Sequence, residues 1–181
     1  ILRNLMPNTN SSTIKVQKRD GRLELLDINK IHFGVEEACE GLTGVSSSQI
    51  EMNANIQFYD GMTTKDIQNV LVRSANDLIS LETPNYQYAA ARLLSYDVRK
   101  EAHGQYEYIP LLKLILRNIR SGVYDKAILD KYTKTEIKKF NTWIKRERDL
   151  KFTYAGLRQI CDKYLVQDRS SGQIYETPQD M

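Results

Sequence analysis

Apolar and polar residues alternate at Ile14, Lys15, Val16 and Gln17, and alternate again from Arg22 to Leu25, on either side of an Asp20-Gly21 pair. Alternation with period two about Asp-Gly is the pattern of a short β-hairpin. The period then changes. Ile28, Ile31, Val35, Ala38 and Leu42 recur at helical spacing behind Asp27, which can cap a helix ending among Gly41 and Gly44. Ser46, Ser47 and Ser48 offer caps for a second helix through Ile50, Ala54 and Ile56, with Gly61 as its stop. Thr63-Thr64-Lys65-Asp66 fits a capping box and opens a third helix whose stripe is Ile67, Val70, Leu71 and Leu78. Thr83-Pro84 reads as a cap followed by proline at the first helical position, and the fourth helix runs through Arg99-Lys100 to a stop near Gly104. Residues 14–104 thus predict a hairpin followed by four helices, with enough apolar faces for a core of their own.

The pattern restarts after Tyr106. Pro110 precedes an apolar run from Leu111 to Ile119, closed by Gly122, and this reads as a helix. Thr133-Lys134-Thr135-Glu136 is a second capping box, with Ile137, Phe140 and Ile144 on one side and Trp143 beside them. A helix with Leu157 and Ile160 follows, and Ser170-Ser171-Gly172 is a turn between two short strands that make a terminal β-hairpin. The fold class expected is α+β and mostly helical.

A chain of 181 residues can bury one good core, or one small domain and part of another. The second case is expected here, with 41% hydrophobic and 27% charged residues as in ordinary soluble proteins. No apolar run approaches the roughly 18 residues of a membrane span. The opening residues Ile1 to Met6 lack the apolar core and cleavage site of a secretory signal, so the cytoplasm is expected and Met6 is read as the native initiator. Cys39 and Cys161 are the two cysteines, far apart and without a Cys-x-x-Cys pair, so buried reduced thiols are expected rather than a disulfide or zinc site. The net charge of +3 is concentrated in residues 134–151, which hold seven Lys/Arg against three Asp/Glu. That density is read as a solvated helix face, with nucleic-acid contact as the minor alternative.

Chemistry is suggested at the first turn and at the third helix start. Lys18-Arg19 sits on the hairpin, Thr64 at a helix start, and Arg99-Lys100 at a helix end. Cations, a hydroxyl and a helix amino terminus are what a polyphosphate needs. None of the nine glycines stands in a G-x-G-x-x-G or P-loop pattern, so any phosphate cradle here is of another kind. His32 and His103, and Tyr86, Tyr88 and Tyr96 at helical spacing, are read as packing or helix-end residues rather than ligands.

Five separate segments, in order, resemble the ATP-cone, the nucleotide-sensing module at the start of class I ribonucleotide reductase large subunits. They are Val16-Gln17-Lys18-Arg19-Asp20-Gly21, Asp27-Ile28-Asn29-Lys30-Ile31, Ile56-Gln57-Phe58-Tyr59-Asp60-Gly61, Asp77-Leu78-Ile79-Ser80, and Tyr86-Gln87-Tyr88-Ala89-Ala90-Ala91-Arg92-Leu93-Leu94. The resemblance implies a short hairpin or sheet over a four-helix bundle, at residues 12–107. It implies that Lys18, Arg19, Lys30, Thr64 and Lys100 hold the phosphates of ATP or dATP, with magnesium on those phosphates. It further implies that Val16 and Ile31 line the base pocket and that Glu24 and Asp27 accept from the adenine amino edge. Gln68 stands where some dATP-inhibited members carry His, and Glu37 where they carry Trp, so ATP binding is better supported than dATP inhibition and one site is carried over.

Residues 147–154, 163–165 and 172–179 resemble the opening of the same subunit's catalytic region, making 108–181 an incomplete helical segment of its body. In that family the barrel and its catalytic cysteines lie further on, so this chain by itself is expected to be non-catalytic. It reads as a truncated piece or a split-gene product. The implied partners are the remainder of the large subunit, or a separate catalytic fragment, and the small radical-generating subunit. An apolar patch left by the absent barrel could be covered by dimerisation. Two other readings stay open: a structural fragment complementing a catalytic half, and an ATP-cone transcriptional regulator, which lacks the zinc-ribbon cysteines expected ahead of the cone.

Overall fold

A computed structural model describes residues 14–181, so the reading of Met6 lies outside the described residues. β1 (Lys15–Gln17) and β2 (Leu23–Leu25) form the expected antiparallel hairpin, with Val16 opposite Glu24. The turn closes through Lys18 N–H to the Arg22 carbonyl, 2.8 Å, and Gly21 takes the positive φ of 85° that the tight reversal requires. The four helices follow in order: α1 (Ile28–Cys39), α2 (Ser47–Asn55), α3 (Thr64–Asp77) and α4 (Tyr86–His103). Asp27 and Ser46 cap α1 and α2 as expected, and Thr63 caps α3 by accepting from the Asp66 N–H.

A third strand, β3 (Met62–Thr63), pairs parallel to β1 and gives the order β2-β1-β3. Two residues are too short to show a period, so the sequence pattern does not announce it. Its placement is fixed by contacts with Lys15: the Asp60 carboxylate accepts from the Lys15 N–H at 2.7 Å, and Gly61, at φ 83°, donates to the Lys15 carbonyl at 2.8 Å. The register sets Gln17 against Thr63, so the next residues on each strand, Lys18 and Thr64, leave the sheet side by side.

Two start and stop expectations shift. α4 begins at Tyr86 rather than at Pro84, because Thr83 turns its hydroxyl back to the Leu78 carbonyl at 2.9 Å and closes the α3–α4 turn instead of capping α4. Ile56 lies past the end of α2 and is exposed, outside the core stripe assigned to it.

α4 is the axis of the first core. It packs against α1, α3 and α8 (Tyr154–Lys163), and against a 3-10 helix at Arg146–Lys151. Ala89, Ala90 and Ala91 are fully buried where those neighbours approach, and Leu93, Leu94 and Tyr96 fill the space between them. Burying a side chain such as Leu93 contributes roughly 2 kcal/mol each. Leu157, Cys161 and Leu165, from the α8 region, belong to this same core. A second, smaller core joins α5 (Leu111–Arg120) to α7 (Lys134–Asn141) through Leu111, Ile115 and Ile137, with α6 (Ala127–Lys131) beside it. The Thr133 capping box forms with Glu136 as read. The terminal hairpin reduces to one antiparallel bridge, Gln167 to Ile174.

Cys161 is buried and Cys39 only half-buried; both are free thiols, each pushed up to about 11 by burial. Tyr86 and Tyr96 are core residues. His103 is the last residue of α4, as read, but its side chain is completely buried, accepting the Ile109 N–H on Nδ1 at 3.1 Å and donating from Nε2 to Asp180 at 3.0 Å.

Candidate functional site

The hairpin, the amino ends of α1 and α3 and the last turns of α4 enclose one cavity of about 1110 Å³. Val16, Lys18, Arg19, Glu24, Asp27, Lys30, Ile31, Thr64 and Lys100 all line it. Five basic side chains, Lys18, Arg19, Arg22, Lys30 and Lys100, face four acidic ones, Asp20, Glu24, Asp27 and Glu37.

The cations differ in what holds them. Lys18 pairs with Glu24 at 3.2 Å and Lys30 with Asp27 at 3.6 Å, both half-exposed pairs that solvent weakens. Arg22 pairs with Asp20 at 2.7 Å across the turn. Arg19 reaches α4 and pairs with Asp97 at 2.7 Å, where the carboxylate is only 7% exposed. Lys100 has no carboxylate within ion-pair distance among the described residues. Burial pulls its ammonium below the ordinary lysine value, with Arg19, Arg99 and Lys18 adding repulsion against the pull of Asp97. An arriving anion relieves that repulsion.

Thr64 stands one residue inside α3 and its hydroxyl has no hydrogen-bond partner among the described residues, so both it and the helix dipole are open to an anion. Asp27 is less free. One oxygen accepts from the Asn29 and Lys30 N–H groups at 3.1 and 3.4 Å as the α1 cap, leaving the other for Lys30 or a ligand. Val16 is buried and Ile31 half-buried, giving an apolar wall beside the acidic pair.

Arg99 does not join this group. Its guanidinium stacks over Tyr106, Tyr108 and Tyr96 at 4.1, 4.8 and 5.2 Å, and it is absent from the lining. Its Nε and one terminal nitrogen are buried without a hydrogen-bond partner. Its stacking on the three tyrosines, not helix geometry alone, keeps it off the lining that Lys100 joins.

Three further residues at or behind the cavity wall were not among the expected phosphate or base contacts. Tyr106 donates its hydroxyl to Glu37, and burial and that bond push the phenol up to about 12. Gln68 donates to the Leu93 carbonyl at 2.8 Å, which fixes its carboxamide in the wall. Asp97 carried a usable signal: a lone charge in a row of buried α4 positions requires a partner.

Comparison with known proteins settles the class of module. Residues 14–101 match the ATP cone domain family. This stretch is an ATP-cone domain. Over 169 residues, 93% of this chain, it is 44% identical to ribonucleoside-diphosphate reductase 1 subunit alpha of Escherichia coli. It is 43% identical over 166 residues to the corresponding alpha subunit of enterobacteria phage T4, and 38% over 168 residues to that of Helicobacter pylori. The chain is therefore homologous to the amino-terminal region of these subunits and spans 21–22% of their length. An ATP-cone implies a nucleotide effector as ligand. No helix among the described residues is long and apolar enough to cross a membrane.

Proposed function

We propose that the cavity binds the triphosphate of ATP and that the chain is the allosteric, nucleotide-sensing portion of a ribonucleoside-diphosphate reductase alpha subunit. The single observation carrying this reading is the convergence of Lys18, Arg19, Lys30, Lys100 and Thr64 on one cavity inside a matched ATP-cone. Lys18, Arg19, Lys30 and Lys100 neutralise the phosphate oxygens, Thr64 and the α3 amino end donate to them, and Val16 and Ile31 sandwich the base. Glu24 and the Asp27 oxygen not used by the α1 cap accept from the adenine amine. Magnesium would arrive on the phosphates of the ligand.

Residues 12–107 serve as the sensor in this reading and residues 108–181 as the first helices of the subunit body. α8 packing on α4 gives the two a shared core through which occupancy is transmitted. The partners are the remainder of the alpha subunit and the small radical-generating subunit, and the setting is the cytoplasm. dATP competes for the same cavity.

Calorimetric titration of ATP and dATP with magnesium, on this chain and on Lys18→Ala and Thr64→Ala, tests the proposal. Binding that each substitution weakens by about tenfold supports it. A folded chain giving no heat with either nucleotide overturns it and leaves a structural fragment.

A further inference from the structure

We propose that Asp97 is an internal competitor for the nucleotide's phosphates: it holds Arg19 across the cavity, and a polyphosphate binds only by taking that guanidinium from it. The inference rests on the cavity being the nucleotide site and adds a device that sets its affinity.

Arg19 lines the cavity from the hairpin, and Asp97 meets it from the second-last turn of α4 at 2.7 Å. The two ends of the pair are unlike. The Arg19 side chain is 40% exposed and can swing, while that of Asp97 is 10% exposed and held in the helix wall. The groups facing Asp97 are Arg19 from the turn after β1, Lys65 from α3, and Lys100 and Glu101 from α4 itself. Lys65 is already engaged by Glu101 at 3.0 Å, and Glu101 repels the Asp97 carboxylate. Burial pushes the Asp97 carboxyl up, and Arg19, at 2.7 Å, opposes that more than Lys65 or Lys100 does.

Moving Arg19 to a phosphate leaves a buried carboxylate short of its counter-ion, and this cost is subtracted from the gain at the phosphate. The same displacement removes a tie between the hairpin and α4, so occupancy loosens one contact while Lys100 gains another on the same helix. The competition makes the cone selective for ligands rich enough in negative charge to win Arg19. A nucleoside triphosphate fits this requirement better than a monophosphate.

A double-mutant cycle on the whole chain tests this, with ATP affinity read by calorimetry for the unaltered chain, Asp97→Asn, Arg19→Ala and the double variant. Asp97→Asn is expected to tighten ATP about fivefold when Arg19 is present and to change it less than twofold when Arg19 is alanine. Equal tightening in both backgrounds means simple repulsion between Asp97 and the phosphates, and overturns the competition. Unchanged or weaker binding by a folded Asp97→Asn chain also overturns it. Asp97→Ser replaces Asp97→Asn in the cycle if circular dichroism shows the amide variant unfolded. No binding by the unaltered chain defeats the nucleotide reading itself, which the cycle separates from the other outcomes.

Discussion

Replacing Lys100 with methionine is expected to strengthen the fold and weaken nucleotide binding together. Lys100 sits in the last turn of α4, half-buried, with Arg19, Arg99 and Lys18 near enough to repel it. Its compensations are the pull of Asp97 and the ring of Tyr106, 5.7 Å from the ammonium, a contact at the outer range of a cation–π pair and worth at most about 0.5 kcal/mol. Methionine keeps the stem's packing and removes the charge. Solvent screening at a half-buried site holds the net gain in stability to about 0.5–1 kcal/mol, or roughly 1–4 °C in Tm for a chain of this size. The sign with pH follows from linkage. A lysine whose folded value lies below its unfolded 10.5 destabilises the fold fully below the folded value, and the penalty disappears as pH rises toward 10.5. The melting advantage of Lys100→Met should therefore be present at pH 7 and shrink as pH approaches 10. ATP binding should weaken about ten- to hundredfold, the loss of one charged contact worth roughly 1.5–3 kcal/mol. Circular dichroism melts at both pH values, with calorimetry at pH 7, read the two effects. A variant that melts lower and binds ATP unchanged refutes the reasoning and makes Lys100 a structural residue.

Asp180 pairs with His103 at 3.0 Å and Arg146 at 2.8 Å and is held down to about 2, with hydrogen bonds from His103 and Thr177 overcoming burial. Asp180→Asn should cost about 3 kcal/mol in urea unfolding at pH 7. The unaltered chain should lose that contribution as pH falls from 3.8 through about 2, because the folded value is the depressed one. Thr63→Ala should cost about 1 kcal/mol by removing the α3 cap, whereas Thr64→Ala should stay within about 0.5 kcal/mol in the same assay while weakening ATP. Gly61→Ala, at φ 83°, should cost about 1–2 kcal/mol, seen as an earlier urea midpoint.

The elements legible in the sequence were those written in local chemistry. The Asp-Gly turn, the Asp27, Ser46 and Thr63 caps and the Thr133 capping box each declare themselves within four residues, and the structure has each of them. What escaped depends on contacts distant in sequence. β3 exists because Asp60 and Gly61 bond to Lys15, 45 residues earlier in the case of Asp60. Thr83 looked like a cap until the Leu78 carbonyl claimed its hydroxyl. His103 was legible as a helix end but not as a buried one, because Asp180, its partner, lies 77 residues away. In the cavity, residue types pointed to phosphate chemistry and the family resemblance supplied the set. Residue type does not separate Lys100 from Arg99, which the tyrosines hold aside, and neither signal shows that Arg19 is already taken by Asp97.

Whether these residues hold a triphosphate is read straight from a crystal structure of the chain grown with magnesium ATP. Phosphate density is expected between Lys18, Arg19, Thr64 and Lys100, with Arg19 drawn away from Asp97. Nucleotide ordered elsewhere on the chain, with the Arg19–Asp97 pair intact, would contradict it.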